Sequence, residues 1–558
     1  MLTGPSGGDA AGRSAADVNR IPDLLDATPT RRIDVEAADR ALVFAFAGSS
    51  SGGLFVDALK GAKMVPSSWD PSGYVEDLFV AAFVRACFEP NIDGPRPLLA
   101  MEHLARVLAT PPREAETVHH RRAVIGELME SQALRGELGR LYVALNRFRV
   151  LLEGGSAADR LDPNRRQLEV LTRLKAVIEI MAQGFTSAQS GLSRLSAYAE
   201  QVQAGEAYAA LVELLRYDDQ LATVSFKVRI GADGRVRDLT LLSVEEDDKN
   251  PFVSSPLRRW QAKLELLLRG FHFGDGEVMA RLLDAVFEGV RADLPALLQL
   301  FGDLEFYLGA LGFYDRAKAG GLAVCLPDLV QPTEPRQLLG LFNPLLMAVG
   351  VKPVPCDLTT DRHDCTVLIT GPNSGGKTRL LQAVGIAQLL AQSGLFVPAR
   401  AGQVALSSGL LVSLIQETRV DQTEGRLGLE LMRIRSLFER LPVGAIVILD
   451  ELCSGTNPSE GEEIFELVLR MLSRLRPQAF ITTHFLQFAA RLEQERQIAD
   501  LRFLQVVLGA KQEPTYQFTR GVATTSLAAQ AAARLGVTGD QLLALIEERM
   551  ASSDPPEG

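Results

Sequence analysis

The 558-residue chain is 47% hydrophobic but only 6% aromatic, the composition of a soluble, Leu/Ala-rich and largely helical protein of roughly three or four domains. A formal net charge of −11 excludes a global basic field, so any contact with nucleic acid has to come from a local patch or from encircling the duplex. The five cysteines, Cys87, Cys325, Cys356, Cys365 and Cys453, are scattered without C-x-x-C spacing, which argues against a disulfide framework or a zinc site and for reduced thiols in a cytoplasm.

Residues 1–38 are small and polar, then charged, with no apolar period; they read as a disordered arm and not as a signal peptide. Residues 41–47 and 53–59 are short apolar runs, the first far too short to span a bilayer, so a cytoplasmic protein with no membrane partner is expected. Helical periodicity begins at residues 75–88 and returns over 98–152, interrupted by Pro111-Pro112. The second stretch carries Arg121, Arg122, Arg135, Arg140, Arg147 and Arg149 interleaved with glutamates, the pattern of a solvated helix face or of a DNA-contacting one. Residues 164–221 read as helix broken near Gly184 and Gly205. Val224, Phe226, Val228 and Ile230 then alternate with polar residues, Gly231-Ala232-Asp233-Gly234 turns the chain, and residues 235–244 return as the second strand of a hairpin at about 223–244. Lys227, Arg229, Arg235 and Arg237 give this hairpin cations that could face phosphate or solvent. After an acidic linker at 245–256 helices resume over 257–271 and 277–311, and Pro327, Pro332 and Pro335 mark the next boundary. The histidines and cysteines form no cluster with metal spacing; His103 and His272 read as packing or surface residues.

Residues 366–393, TVLITGPNSGGKTRLLQAVGIAQLLAQS, run from a short β-branched strand through a glycine-rich turn into a helix starting at Lys377. Gly371, Gly376, Lys377 and Thr378 stand at the spacing G-x-x-x-x-G-K-[ST] of a phosphate-cradling loop. Glycines let backbone N–H groups curl around an anion, and the following helix points its positive end at the same phosphates. Lys377 can reach the β- and γ-phosphates, and the Thr378 hydroxyl can ligate Mg²⁺. A second buried-strand run at 445–449 delivers Asp450 and Glu451 to its carboxyl end, where ligands of parallel α/β sheets bind. Asp450 is placed to hold Mg²⁺ and Glu451 to orient or deprotonate the attacking water. A third strand, through Ile481-Thr482-Thr483, ends at His484, a candidate for polar contact with the γ-phosphate.

In this order ITGPNSGGKT, AQSGLFVPA, LDELCSGTNPSEG, TTHF and YQFTRGVATTSLAAQAAARLGV resemble the MutS family of DNA mismatch-recognition and recombination ATPases, which belong to the ABC-type class. The resemblance is specific over about 336–540 and looser upstream. It implies the fold class α+α/β: a helical core/lever region with a small β-hairpin, followed by an ABC-type P-loop α/β ATPase domain. The expected domains are the arm 1–38, a helical core and lever with reduced clamp at 39–335, the ATPase at 336–540, and the end of a dimerisation helix with a disordered tail at 541–558. ATP and Mg²⁺ are the implied ligands. Phosphate binding falls to Gly371, Pro372, Asn373, Ser374, Gly375, Gly376 and Lys377, metal coordination to Thr378 and Asp450, hydrolysis to Glu451, and γ-phosphate sensing to His484. The family dimerises head to tail across its ATP sites, and residues 527–545 resemble its closing dimerisation element.

Departures from the family pattern are equally specific. Leu427 and Gly428 stand where the family's signature loop carries the hydroxyl residues that touch the partner's nucleotide, and Pro355-Cys356-Asp357 replaces a Pro-Asn-Asp. The N-terminal mismatch-reading module and the C-terminal Smr domain are expected to be missing. The resulting expectation is a homodimeric, ATP-driven clamp acting on mismatched or branched DNA in repair or recombination. Two alternatives stand beside it: an ATP-driven switch whose partner is a protein, and a clamp that binds ATP but hydrolyses it weakly.

Overall fold

Apolar residues spaced every three or four positions and side-chain caps build the helices of the first three hundred residues or so. Asp34 caps the helix Val35–Phe46 by accepting from Ala37 N at 3.0 Å, and Ser131 caps Gln132–Glu153 by accepting from Leu134 N at 3.3 Å. The computed structural model describes residues 21–47, 53–92, 100–154, 163–218, 222–230, 236–246, 275–414, 426–453, 457–510, 512–524 and 536–553. Two units result, each discontinuous in sequence. The first comprises Met1–Val65, Pro90–Val107 and Glu116–Leu311; the second comprises Pro66–Glu89, Leu108–Ala115 and Gly312–Gly558. The upstream segments Pro66–Glu89 and Leu108–Ala115 belong to the second unit, together with the chain from Gly312 onward.

In the first unit the helices Pro163–Gly184, Ser193–Gln203 and Glu206–Asp218 break where Gly184 and Gly205 predict, and Ala222–Ile230 (β1) pairs antiparallel with Val236–Glu246 (β2). The basic side chains expected on this hairpin lie outside the described residues, as do most of the acidic linker and the helix expected over 257–271. Within residues 280–319 lies an apolar stretch long enough to cross a bilayer, but it is buried inside the protein as a core helix.

Two expectations are corrected here. Residues 21–38 are not a disordered arm: Asp23, Leu24, Leu25 and Arg32 are buried, and Val35 begins a helix. Among the described residues the segment pairs with no strand; Lys63 N donates to Arg32 O at 2.7 Å, and side chains satisfy much of the rest. Asp303 accepts from Leu24 N at 3.0 Å, Tyr307 donates to Leu24 O at 2.7 Å, Arg121 to Leu25 O at 2.8 Å, and Arg194 to Asp23 O at 2.7 Å. The Arg32 guanidinium bridges Asp23 at 2.6 Å and Asp303 at 2.7 Å. The second correction grows out of the first. Arg121 is fully buried over the Phe306 ring, and Arg149 is buried against Asn146 and Glu153, so neither belongs to a basic surface. His103, as expected, is a packing histidine: it is buried against Gly302, where a Cβ would come within 2.8 Å of the ring.

The second unit contains the expected α/β layer. Its strands, in chain order, are Asp328–Val330 (β3), Arg336–Leu341 (β4), Cys356–Thr360 (β5), Thr366–Thr370 (β6), Ala401–Ala405 (β7), Leu410–Ser413 (β8), Ile446–Leu449 (β9), Gln478–Thr482 (β10), Leu501–Leu508 (β11) and Pro514–Arg520 (β12). Six of them form a sheet in the order β12-β11-β6-β10-β9-β8, in which all pairings are parallel except β11 with β12. The other four form a second, mixed sheet in the order β3-β7-β4-β5. Every residue of β6, β9 and β10 is buried, as continuous apolar runs in a covered parallel sheet should be.

Glu305, at the centre of the first unit, accepts from Ala100 N and Tyr142 Oη, both at 2.8 Å, and burial pushes its carboxyl from 4.5 up to about 7. Between those values the folded state holds a proton that the unfolded state has released. Its contribution is therefore complete below pH 4.5 and lost as pH rises through about 7. Glu305→Gln should remove about 3 kcal/mol of that pH dependence, read from urea unfolding at pH 5 and pH 8; an unchanged slope would contradict it.

Candidate functional site

The all-buried strand β6 ends at Gly371, whose φ of 136° and proximity to Val506 (a Cβ would lie 2.7 Å from Cγ2) admit only glycine. A turn through Pro372, Ser374 and Gly375 leads to Gly376 at φ 86° and the helix Lys377–Gln392. The side chain of Asn373 lies outside the described residues. Lys377 is buried, and its ammonium donates to Gly371 O at 2.8 Å and Pro372 O at 3.2 Å, so it lies across the loop it serves. Burial lowers its pKa against the opposing pull of Glu451 and Asp450.

Parallel register brings the other residues to the same edge. β10 lies between β6 and β9, pairing Thr482 with Ile369 and Ile481 with Leu449. The carboxyl ends of the three strands therefore present Gly371, Asp450 and Thr483 side by side. Thr378 Oγ1 donates to Asp450 Oδ2 at 2.5 Å, while Thr482 Oγ1 donates to Asp450 Oδ1 and accepts from Glu451 N at 2.8 Å. Glu451 and Cys453 take left-handed φ values of 50° and 61°, a conformation costing a non-glycine residue about 1–2 kcal/mol. Cys453 N also donates to buried Glu430 at 3.4 Å, which ties the helix Arg426–Arg440 to the loop after β9. His484 is exposed just beyond β10, its ring 4.2 Å from that of Phe485.

Thus Lys377, Thr378, Asp450 and Glu451 converge as their motifs imply. The side chain of Leu427 lies outside the described residues, as do residues 527–535 of the expected closing element, whose end falls in the helix Gly539–Ser553. Sequence reasoning misses two participants. Tyr516 sits where a Cβ on Gly376 would come within 3.0 Å of its ring, at φ 59° on the antiparallel edge strand β12. Thr482 reads in sequence only as part of a strand. No local pattern marks Tyr516; a hydroxyl at the end of a parallel strand beside Asp450 is a usable signal for Thr482.

Beside Gly376 lies a cavity of about 290 Å³ lined by Phe342, Val354, Leu380, Tyr516 and Phe518, with Arg379 at its wall. Its apolar lining suits a flat heterocycle, and the loop and helix start suit the phosphates attached to it. The hard oxygen pair of Thr378 and Asp450 suits Mg²⁺. A larger cavity of about 500 Å³ shares no residue with this one, and its Arg502 is paired to Asp361 through two bonds of 2.8 and 2.7 Å.

Residues 367–549 match the family model described as MutS domain V. Curated proteins named Endonuclease MutS2 are similar to about half of the chain. That of Streptococcus thermophilus (strain ATCC BAA-491 / LMD-9) is 30% identical over 265 residues, covering 46% of this chain and 32% of the relative. That of Gemmatimonas aurantiaca is 30% identical over 280 residues, 49% of this chain and 33% of the relative. That of Thermus thermophilus is 30% identical over 286 residues, 50% and 36% respectively. The aligned chain spans about a third of the length of these relatives.

Lys377→Ala should weaken ATP binding about 10- to 100-fold through loss of charge-assisted hydrogen bonds. Tyr516→Ala should weaken it about tenfold through loss of stacking. Calorimetric titration with ATP checks both; unchanged affinity in Lys377→Ala would remove the loop as a phosphate site.

Proposed function

Because the chain is a MutS-family protein through its domain V, we propose that it binds and hydrolyses ATP at this site and uses the cycle to drive a dimeric clamp on DNA. The observation that carries the proposal is the convergence of Lys377, Thr378, Asp450 and Glu451 at neighbouring strand ends within the matched domain.

In this reading the triphosphate lies along Gly371–Lys377, with the base in the cavity beside Tyr516. Thr378 and Asp450 would hold Mg²⁺, which supplies charge neutralisation at the β- and γ-phosphates. Glu451 orients the attacking water and takes its proton, and His484, exposed at the end of β10, contacts the γ-phosphate. The site is half of an ABC-type pair whose other half comes from a second copy of this chain. Leu427, in place of a hydroxyl, weakens the contact made in trans and favours slow turnover. Closure on ATP and reopening on hydrolysis move the helical regions about branched or mismatched DNA, in repair or recombination, within the cytoplasm.

Burial of Arg121 and Arg149 and the net charge of −11 favour one second reading, an ATP-driven switch that acts on a protein partner. Electrophoretic shifts on linear, mismatched and four-way DNA across a salt series decide between them. Binding that weakens as salt rises supports the clamp, and no binding to any form at low salt refutes it. Glu451→Gln should retain ATP binding while hydrolysis falls by about 10²–10⁴ in a steady-state assay. Turnover equal to that of wild type would remove Glu451 as the base.

A further inference from the structure

We infer that Thr482 is a positioning residue for both acidic groups of the nucleotide site, an inference that rests on the ATPase reading above. Thr482 closes β10 with its side chain fully buried, just before the Thr483-His484 pair. Its hydroxyl has one proton and two lone pairs. Glu451 N is a donor only, so at 2.8 Å it must use a Thr482 lone pair, and the Thr482 proton is directed to Asp450 Oδ1. The other carboxylate oxygen, Oδ2, accepts from Thr378 at 2.5 Å. Asp450 is thereby held from both sides, by the residue that shares its metal role and by the strand next to its own.

The same hydroxyl determines where Glu451 begins. Glu451 adopts φ 50°, which an L-residue keeps only when its surroundings over-determine it. Its N–H has one partner among the hydrogen bonds described, Thr482 Oγ1. Asp450 N is separately anchored to Ser413 O at 3.0 Å on β8, so the backbone leaves β9 pinned on one side by β8 and on the other by β10. Removing the hydroxyl releases the Asp450 rotamer and the Glu451 backbone together. It touches neither the glycine-rich loop nor the cavity beside Tyr516. Metal-dependent binding and the hydrolytic step should therefore suffer, while metal-free nucleotide binding should not.

Two substitutions separate this role from simple packing. Thr482→Val keeps the branched shape and removes the hydroxyl; Thr482→Ser keeps the hydroxyl and removes the methyl. ATP affinity is measured by calorimetry with and without Mg²⁺, alongside kcat and KM, on the full chain. In Thr482→Val we expect metal-free ATP affinity within about threefold of wild type, a smaller gain in affinity on adding Mg²⁺, and kcat lowered about tenfold or more. Thr482→Ser should recover both the Mg²⁺ gain and kcat to within about threefold. Normal Mg²⁺ gain and kcat in Thr482→Val overturn the inference, as does a defect confined to Thr482→Ser, which would mark the methyl as the important group. If Thr482→Val does not fold, Thr482→Ser decides: loss of its Mg²⁺ gain would overturn the inference and retention would support it. Wild type that binds no ATP overturns the nucleotide reading itself, a result distinct from wild type that binds ATP while Thr482→Val matches it.

Discussion

The parallel register of β6, β10 and β9 is the constraint on which the site depends. Parallel strands in a sheet covered on both faces end together, and a loop necessarily succeeds each end. Here the three loops begin with Gly371 of the glycine-rich turn, the Thr-His pair and the Asp-Glu pair. A displacement of β10 by one residue would turn Thr482 to the opposite face of the sheet and separate Asp450 from its second hydroxyl. The complete burial of the three strands makes such a slip costly, because every side chain on them is committed to the core.

That rigidity sustains a strained connection. Gly371 and Gly376 meet positive-φ geometry at little cost, but Glu451 and Cys453 do not. Hydrogen bonds from Glu451 N to Thr482 and from Cys453 N to Glu430 compensate, and they couple the loop to a neighbouring strand and to the helix Arg426–Arg440. Burial pushes the Cys453 thiol up to about 12.

The first unit solves a different problem with buried charge. Arg32 lies between Asp23 and Asp303, and Tyr307, Arg121 and Arg194 donate to an irregular segment outside the described sheets. Desolvating these groups is expensive, and the pairs do no more than offset that cost. What they secure is a unique position for residues 21–34 on the helices. Breaking one partner would leave an uncompensated charge in the interior, which is why the arrangement is all or nothing.

Local pattern alone determined the glycine-rich turn between strand and helix, the strand-borne Asp450 and Glu451, the helix breaks at Gly184 and Gly205, and the hairpin. Each rests on residue types within a few positions of one another: a glycine's φ, a strand's alternation, a motif's spacing. Local pattern misjudges residues 21–38, because polarity without periodicity looks disordered when the partners that satisfy it lie nearly three hundred positions away. It misjudges Arg121 and Arg149 for the same reason, since charge on a helix says nothing of which neighbours enclose it. Tyr516, brought to Gly376 by an antiparallel edge strand, and Thr482, brought to Asp450 by parallel register, acquire their meaning only in three dimensions. The sequence by itself determined that a glycine-rich strand-to-helix turn and a strand-borne acidic pair exist. Tertiary structure decided which hydroxyl aims the acids and which aromatic ring flanks the loop, because those contacts depend on strand order, which no local spacing encodes.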